Sequence, residues 1–253
     1  MTLQPRDLDL AERESLLGQA SPLVKLGVAA AWLIALATTV DARPGLLLAF
    51  AALAAIPLMG AVPVGQLVRR LWPLVLAALG IAVTNLLFAS ANTDPTAAEL
   101  LRLGPLRLTV PAATTALGLG ARVLAIISVG SAFALTTDAT GLADGLTQQA
   151  GLSPRFAYGA LAAYQAVPRL AEDLATLRAA RRLRGLRDWH PRILVGLLIR
   201  AIRHADQLAL AMDARAFGTG PRTVYRPLRW GTADVIVGSA GILALVVAMV
   251  GIR

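Results

Sequence analysis

The sequence predicts an all-α, polytopic membrane protein with about five membrane-spanning helices and one large basic segment outside the bilayer. Three observations lead there. Of the 253 residues, 57% are hydrophobic and only 15% are charged, against about 45–50% and about 25% in soluble chains. The mean hydropathy is +0.65. Uncharged apolar runs near the roughly 20 residues that a spanning helix needs recur five times.

The first run extends from Leu26 to Val40, and Lys25 can lengthen it by snorkelling its ammonium to the interface. Asp41 and Arg43 mark a polar turn. Pro44 to Val68 is the second run, with Pro57 and Pro63 near its end, and Arg69 and Arg70 close it. Leu71 to Thr93 is the third. A polar stretch with Asp94, Glu99, Arg102 and Arg107 follows. Residues 108–137 form the fourth run, interrupted only by Arg122, and Val235 to Ile252 forms the fifth. Proline in Ser21-Pro22, Arg43-Pro44, Val110-Pro111 and Ser153-Pro154 suits a first helical turn, where its missing N–H costs nothing. The first run starts after a mixed charged stretch, which is unlike a cleaved signal peptide.

Basic residues set the expected orientation. With the N-terminus in the cytoplasm, inside segments 1–25, 63–70 and 138–230 carry nineteen Lys/Arg, and outside segments carry four: Arg43, Arg102, Arg107 and Arg253. That bias follows the positive-inside rule and places the C-terminus outside. The same counts exclude several chemistries. There is no cysteine, so disulfides, thiolate catalysis and thiolate metal sites are absent, and two histidines are too few for a His-rich metal site. Lys25 is the one lysine, and no glycine loop precedes it, so the chain lacks a phosphate-binding loop of the G-x-x-x-x-G-K-[ST] type.

Residues 138–230 hold 14 of the 24 basic residues and 7 of the 15 acids, and their pattern is helical. Asp138 can cap a short helix that runs through Gln149 and stops at Gly151. Ser153-Pro154 opens a long helix toward Arg184, with an interruption at Pro168. On it Leu170, Leu174 and Leu177 form one stripe, and the same spacing continues to Arg181 and Arg184 before Gly185. A second long helix runs from about Pro191 to Phe217. Leu194, Leu197, Ala201, Leu208, Met212 and finally Arg215 share one face, Arg200, Arg203, Asp206 and Asp213 lie on the other side, and Gly218 and Gly220 end it. Two apolar stripes that each finish in an arginine look like two copies of one docking device. Arginines at helix C-termini also suit the helix dipole and an anionic lipid surface, so the pattern alone leaves both readings open.

Other constellations are thinner. Gly118-Leu119-Gly120 near Arg122 lacks the third glycine and the preceding strand of a dinucleotide loop, and small residues there suit close helix packing. Arg122 within a span needs a buried ion pair or a carbonyl contact, with Asn85 and Asp234 as candidate partners. Asp138 with Asp144, and Asp206 with Asp213, stand six and seven residues apart and form no D-x-x-D or D-x-x-x-D motif for metal-dependent chemistry on lipid-linked substrates. Few aromatics interleave the basic residues, which disfavours nucleic acid.

The motifs themselves carry a resemblance. Ser21-Pro22-Leu23-Val24-Lys25-Leu26 is similar to a D-P-R-x-K-L start of a first span. Arg122 followed by Thr136-Thr137 is similar to an arginine-bearing span that ends in a Thr pair. Leu183-Arg184-Gly185 matches one Ala-Arg-Gly motif, and Ala211-Met212-Asp213-Ala214-Arg215-Ala216-Phe217 is close to A-M-E-A-R-G-F, which contains the second. On these residues the chain resembles the transmembrane (T) component of energy-coupling factor transporters, a family of ABC-type importers of vitamins and transition-metal ions. Leu183 and Ala216 depart from the motifs, while both arginines are kept. The resemblance implies membrane spans over 1–137, a cytoplasmic coupling region over 138–231 and a last span over 232–253. It implies no enzyme activity and no cofactor in this chain. It also implies two ABC-type ATPase subunits as partners, seated on Leu183-Arg184-Gly185 and Ala214-Arg215-Ala216. The faces of Leu170, Leu174, Leu177 and Arg181, and of Leu208 and Met212, would support them, and a substrate-binding (S) membrane protein would complete the assembly.

Overall fold

A computed structural model describes residues 15–39, 41–94, 96–103, 106–218, 223–224 and 226–251. Val40, Gly220 and Arg253, expected at a span end, a helix end and the outer terminus, lie outside the described residues. Two compact units are present: residues up to 138 together with 229 onward, and residues 139–228.

The first unit is a bundle of apolar helices. A short helix α1 (Leu16–Gln19) precedes α2 (Pro22–Thr38), α3 (Ala42–Met59), α4 (Val64–Phe88), α5 (Val110–Thr136) and α9 (Thr232–Val250). Helices α3, α4, α5 and α9 are long and apolar enough to cross a membrane, and α2 is an apolar helix of 17 residues. The bundle is held by small residues at close contacts. Trp32, Leu36, Leu48, Ala49, Ala52, Ala125, Val129 and Ala248 form its main buried cluster. A Cβ on Gly45 would stand 2.9 Å from the Ala121 backbone, and one on Gly120 would stand 2.8 Å from the Ala82 side chain. The glycines at 118–120 thus serve packing between helices, as small residues do in membrane bundles. Trp32, Leu36 and Leu48 fill the interior between these contacts, while many other large side chains face outward: Phe50, Leu58, Phe88 and Val235 are all highly exposed in the isolated chain. That inside-out distribution is what a lipid-facing surface requires, and the chain is a multi-pass membrane protein.

Four expectations need correction, and one stretch left unassigned gains a structure. The break between the second and third spans falls at Gly60–Pro63, before Arg69 and Arg70, which lie inside α4. Glycine caps α3, Ala61 adopts φ 53°, and Pro63 caps α4; backbone chemistry ends a helix, and charge alone does not. The polar stretch after α4, to which the sequence pattern assigns no element, is ordered. It contains an antiparallel hairpin of β1 (Glu99–Leu103) and β2 (Leu106–Thr109), with Arg107 bonded to Glu99 at 2.6 Å. Lys25 does not snorkel but is buried, with Nζ donating to the carbonyls of Leu17 (2.8 Å) and Thr136 (2.6 Å). Arg122 pairs with neither Asn85 nor Asp234; it donates to the Thr39 carbonyl. Asn85 bonds back to the Ile81 carbonyl, and Asp234 accepts from Ser21 and Gly231. A backbone carbonyl costs no second buried charge, so it is a cheap partner for an arginine in a span. Finally, Pro168 does not interrupt its helix.

The second unit is helical throughout its described core: α6 (Ala139–Gln148), which directly follows Asp138, α7 (Pro154–Leu183) and α8 (Arg192–Ala214). Gly151 at φ 69° ends the α6 turn. Helix α7 continues for 30 residues with Pro168 inside it. Gln148 ties the return strand to α6 by accepting from Leu228 N–H and donating to the Arg226 carbonyl.

Two arginine caps at opposite ends of a helix pair

Helices α7 and α8 run antiparallel. Leu177 lies against Gly196, Asp173 bonds Arg200 at 2.8 Å, and Arg169 meets His204 at 3.2 Å. Each step moves back four residues on α7 and forward four on α8, which is one turn per contact. Farther along, an apolar groove of about 250 Å³ opens between residues 159–170 and 201–212. Leu170, Leu174, Leu177 and Arg181 on α7, and Leu208 and Met212 on α8, are half-buried on these facing sides. These stripes therefore bury part of their area within the helix pair, while Leu194 at the start of the α8 stripe stays half exposed. Arg200 also faces across the pair to Asp173 and not to the other side of α8 as expected from the sequence, because it shares the i, i+4 row of Gly196 and His204. Arg203 is exposed.

Both arginine motifs sit at the C-terminal cap of their helix, in the same geometry. Arg184 caps α7 at φ −90°, ψ 10°, and Arg215 caps α8 at φ −93°, ψ 12°. After Arg184, Gly185 N–H donates to the Arg182 carbonyl and Leu186 N–H to the Arg181 carbonyl. After Arg215, Ala216 N–H donates to the Asp213 carbonyl and Phe217 N–H to the Met212 carbonyl. Each pair of bonds is a Schellman closure, which needs a left-handed residue just past the cap. Gly185 fills that position at φ 69° and Ala216 at φ 54°. At the first cap Leu183 is 90% exposed and Arg184 is exposed; at the second Ala214 and Arg215 are exposed. The arginine stripe thus ends one turn earlier than its spacing implied: Arg181 lies on the packed face, with Nε donating to the Arg187 carbonyl, and Arg184 projects from the cap.

Because the helices are antiparallel, the two caps lie at opposite ends of the pair. The 23 residues of α8 alone span about 34 Å at 1.5 Å per residue. Each cap is also fastened to its surroundings by residues that the sequence pattern did not single out. Beyond Arg184, Arg178 stacks over Trp189 at 5.3 Å and Arg182 meets Asp188 at 3.3 Å. Beyond Arg215, Phe217 packs edge-on against Tyr158 at 6.4 Å, and Arg155 donates to the Gly218 carbonyl at 3.1 Å. Tyr158 in turn donates to Asp144 Oδ1 at 2.6 Å, and this bond to a carboxylate raises the phenol above its usual pKa. No sequence period marks Tyr158 or Arg155; only the antiparallel pairing brings them to the end of α8. Among the described residues no group of three His, Asp or Glu side chains could hold a metal ion.

Comparison with known proteins places this arrangement. Residues 14–225 match the family model of CbiQ, cobalt transport protein. The energy-coupling factor transporter transmembrane protein EcfT of Lactococcus lactis is 25% identical over 243 residues, covering 88% of this chain and 89% of that protein. The energy-coupling factor transporter transmembrane protein BioN of Rhizobium etli is 33% identical over 180 residues, covering 67% of this chain and 78% of BioN. A putative ABC transporter ATP-binding protein of Bifidobacterium longum is 26% identical over 213 residues, covering 66% of this chain but 27% of that longer protein. With residues 14–225 matched to the family model and an apolar, lipid-facing helix bundle, the chain belongs to the CbiQ family as a transmembrane T component of energy-coupling factor transporters.

Proposed function

We propose that this chain couples ATP hydrolysis on two ABC-type ATPase subunits to import, with Arg184 and Arg215 each seated in one ATPase. The observation that carries the reading is the matched pair of caps at opposite ends of one antiparallel helix pair. Two identical devices, held about 34 Å apart by a stiff helix, suit two separate copies of a partner. Each guanidinium offers a rigid fork of donors to acidic groups or carbonyls. The Bifidobacterium relative, named as an ATP-binding protein, holds a T-like segment within a longer chain, which supports an association with ATPases. Coupling then passes to a separate substrate-binding membrane protein that carries a vitamin or a transition-metal ion. The basic bias supports residues 138–230 in the cytoplasm and the C-terminus outside. The chain itself binds no nucleotide, since its one lysine, Lys25, is buried on two carbonyls.

The test is co-purification of the ATPases with Arg184→Glu, Arg215→Glu and the double variant. Loss of one desolvated arginine contact should weaken assembly by about 2–5 kcal/mol, much of it from the partner group left unpaired. Reversal should cost more than truncation. Arg203→Ala is the control, since Arg203 is exposed and away from both caps, whereas Arg200 is engaged with Asp173. Normal assembly of the double variant would refute the docking role. Equal loss in the control would assign the effect to general basic charge.

A further inference from the structure

We propose that the Ser21–Lys25 turn is a clamp that joins the two roots of the cytoplasmic helix unit, so that Lys25 and Asp234 are positioning residues for coupling. This rests on the coupling reading above and names the bundle element that receives the motion. Residues 139–228 connect to the bundle through two chain segments, after Thr136 and before Thr232. Both segments are gripped by the same helical turn. Lys25 Nζ donates to the Thr136 carbonyl at the end of α5 (2.6 Å). Ser21 N–H donates to Asp234 Oδ1 (2.5 Å), and Asp234 Oδ2 accepts from Gly231 N–H (2.8 Å) at the start of α9. Ser21 and Lys25 are themselves joined through the first turn of α2, where Lys25 N–H donates to the Ser21 carbonyl at 3.3 Å.

The burial of this hub sets it apart. Ser21 is 3% exposed, Lys25 7% and Asp234 5%, at one end of an otherwise apolar bundle. An ammonium and a carboxylate both removed from water are expensive, and well-packed apolar residues of similar size often stabilise a fold as well or better. The hub is therefore poorly explained by stability. What it supplies is register: each charge is satisfied by backbone groups of a different chain segment, and any one of them can shift only by stranding a buried charge. A displacement of α7 and α8 pulls on Thr136 and Gly231, and the turn obliges the two to move as one body and to carry α2 with them. Lys25 also donates to the Leu17 carbonyl at 2.8 Å, which adds α1 to the same body.

The experiment uses the complex with both ATPases and the substrate-binding protein in lipid nanodiscs. Because the chain has no cysteine, single pairs can be introduced cleanly. Ala134→Cys with Val235→Cys labels the two roots beside the clamp, both at exposed positions, and Tyr164→Cys with Leu210→Cys labels the cytoplasmic pair. Nitroxide distances are read without nucleotide and with ATP plus vanadate, for the unmodified clamp, for Lys25→Met and for Lys25→Met/Asp234→Leu. The expected result is one narrow root-to-root distance with the clamp intact in both states. In the variants that distance broadens or splits, while the cytoplasmic pair still responds and ATP hydrolysis stays within about twofold of normal, a change under 0.5 kcal/mol in barrier. An unaltered root distance in both variants would overturn the proposal. So would loss of root order, cytoplasmic response and hydrolysis together in proportion to unassembled protein, which would mean that the hub only holds the fold. Failure of the coupling reading is separate: the cytoplasmic pair would then ignore nucleotide with the clamp intact, and the root distances would still decide the clamp.

Discussion

The two arginine caps differ in one residue whose energetic effect can be worked from the backbone. Gly185 and Ala216 occupy the same left-handed position, at φ 69° and 54°. A Cβ on Gly185 would meet nothing within 4 Å, so Gly185→Ala adds no clash and only the conformational cost remains. An L-residue pays about 1–2 kcal/mol in the left-handed region, and the reduced freedom of its unfolded chain returns about 0.4–1 kcal/mol. The net effect of Gly185→Ala is a loss of about 1 kcal/mol in closing the α7 cap. Ala216→Gly should do the reverse at α8, a gain of about 1 kcal/mol by the same subtraction. Hydrogen exchange reads both locally. The reporter amides are Leu186, bonded to Arg181, and Phe217, bonded to Met212. One kcal/mol corresponds to about fivefold in an opening equilibrium, so Leu186 should lose about fivefold protection in Gly185→Ala and Phe217 should gain about as much in Ala216→Gly. If both substitutions left these amides unchanged, or if Ala216→Gly loosened Phe217, the left-handed caps would not be what closes the helix ends.

Three further outcomes are expected. Gly45→Ala drives a Cβ to 2.9 Å from the Ala121 backbone and should lower the melting temperature of the purified chain through an overpacking cost of about 1–3 kcal/mol, whereas the same change at exposed Gly231, with nothing within 4 Å, should spare the packing. Tyr158 is held above its usual pKa by its bond to Asp144; a raised folded pKa means that this contribution is complete below the unfolded value of about 10 and is lost as pH rises beyond it. Protection of the Phe217 amide should therefore fall on alkaline titration, and Tyr158→Phe should abolish that part of the pH dependence. A cysteine at Arg187 should resist an impermeant thiol reagent in intact cells and react after lysis; labelling in intact cells would contradict the cytoplasmic placement of residues 138–230.

What could be read from the sequence was whatever depends on local spacing. The apolar runs announced α3, α4, α5 and α9, and the prolines at 22, 111 and 154 marked helix starts within a residue. Arg184 and Arg215 stood out because each closes an apolar stripe before a small residue. Side-chain destinations were harder, because they depend on residues distant in the chain. Lys25 looked like a snorkelling residue until α5 brought the Thr136 carbonyl to it, 111 positions away in sequence. For Arg122 the sequence offered an ion pair or a carbonyl contact and could not supply the partner: Asn85 and Asp234 were the candidates, and the carbonyl of Thr39 takes the bond. Arg200 looked solvated until α7 brought Asp173 alongside. The hairpin at residues 99–109 was hidden because strands of five and four residues, the first with Leu100 and Leu101 adjacent, give too short and broken a period to stand out from a polar loop.

Under the proposed coupling role, Pro168 has a consequence for how load is shared between the two caps. It lies within α7 without breaking it, but it has no N–H, so the Tyr164 carbonyl lacks its usual intrahelical donor and the rod is most compliant at that point. The residues after it, from Arg169 to Leu177, are those braced against α8. The residues before it include Arg155 and Tyr158, which brace the loop beyond Arg215. Flexure at Pro168 therefore leaves Arg184 in rigid alignment with α8 and shears the Arg215 end against its own supports. Two caps of identical backbone geometry are mechanically unequal: one is stiff, and the other sits on a sprung mount.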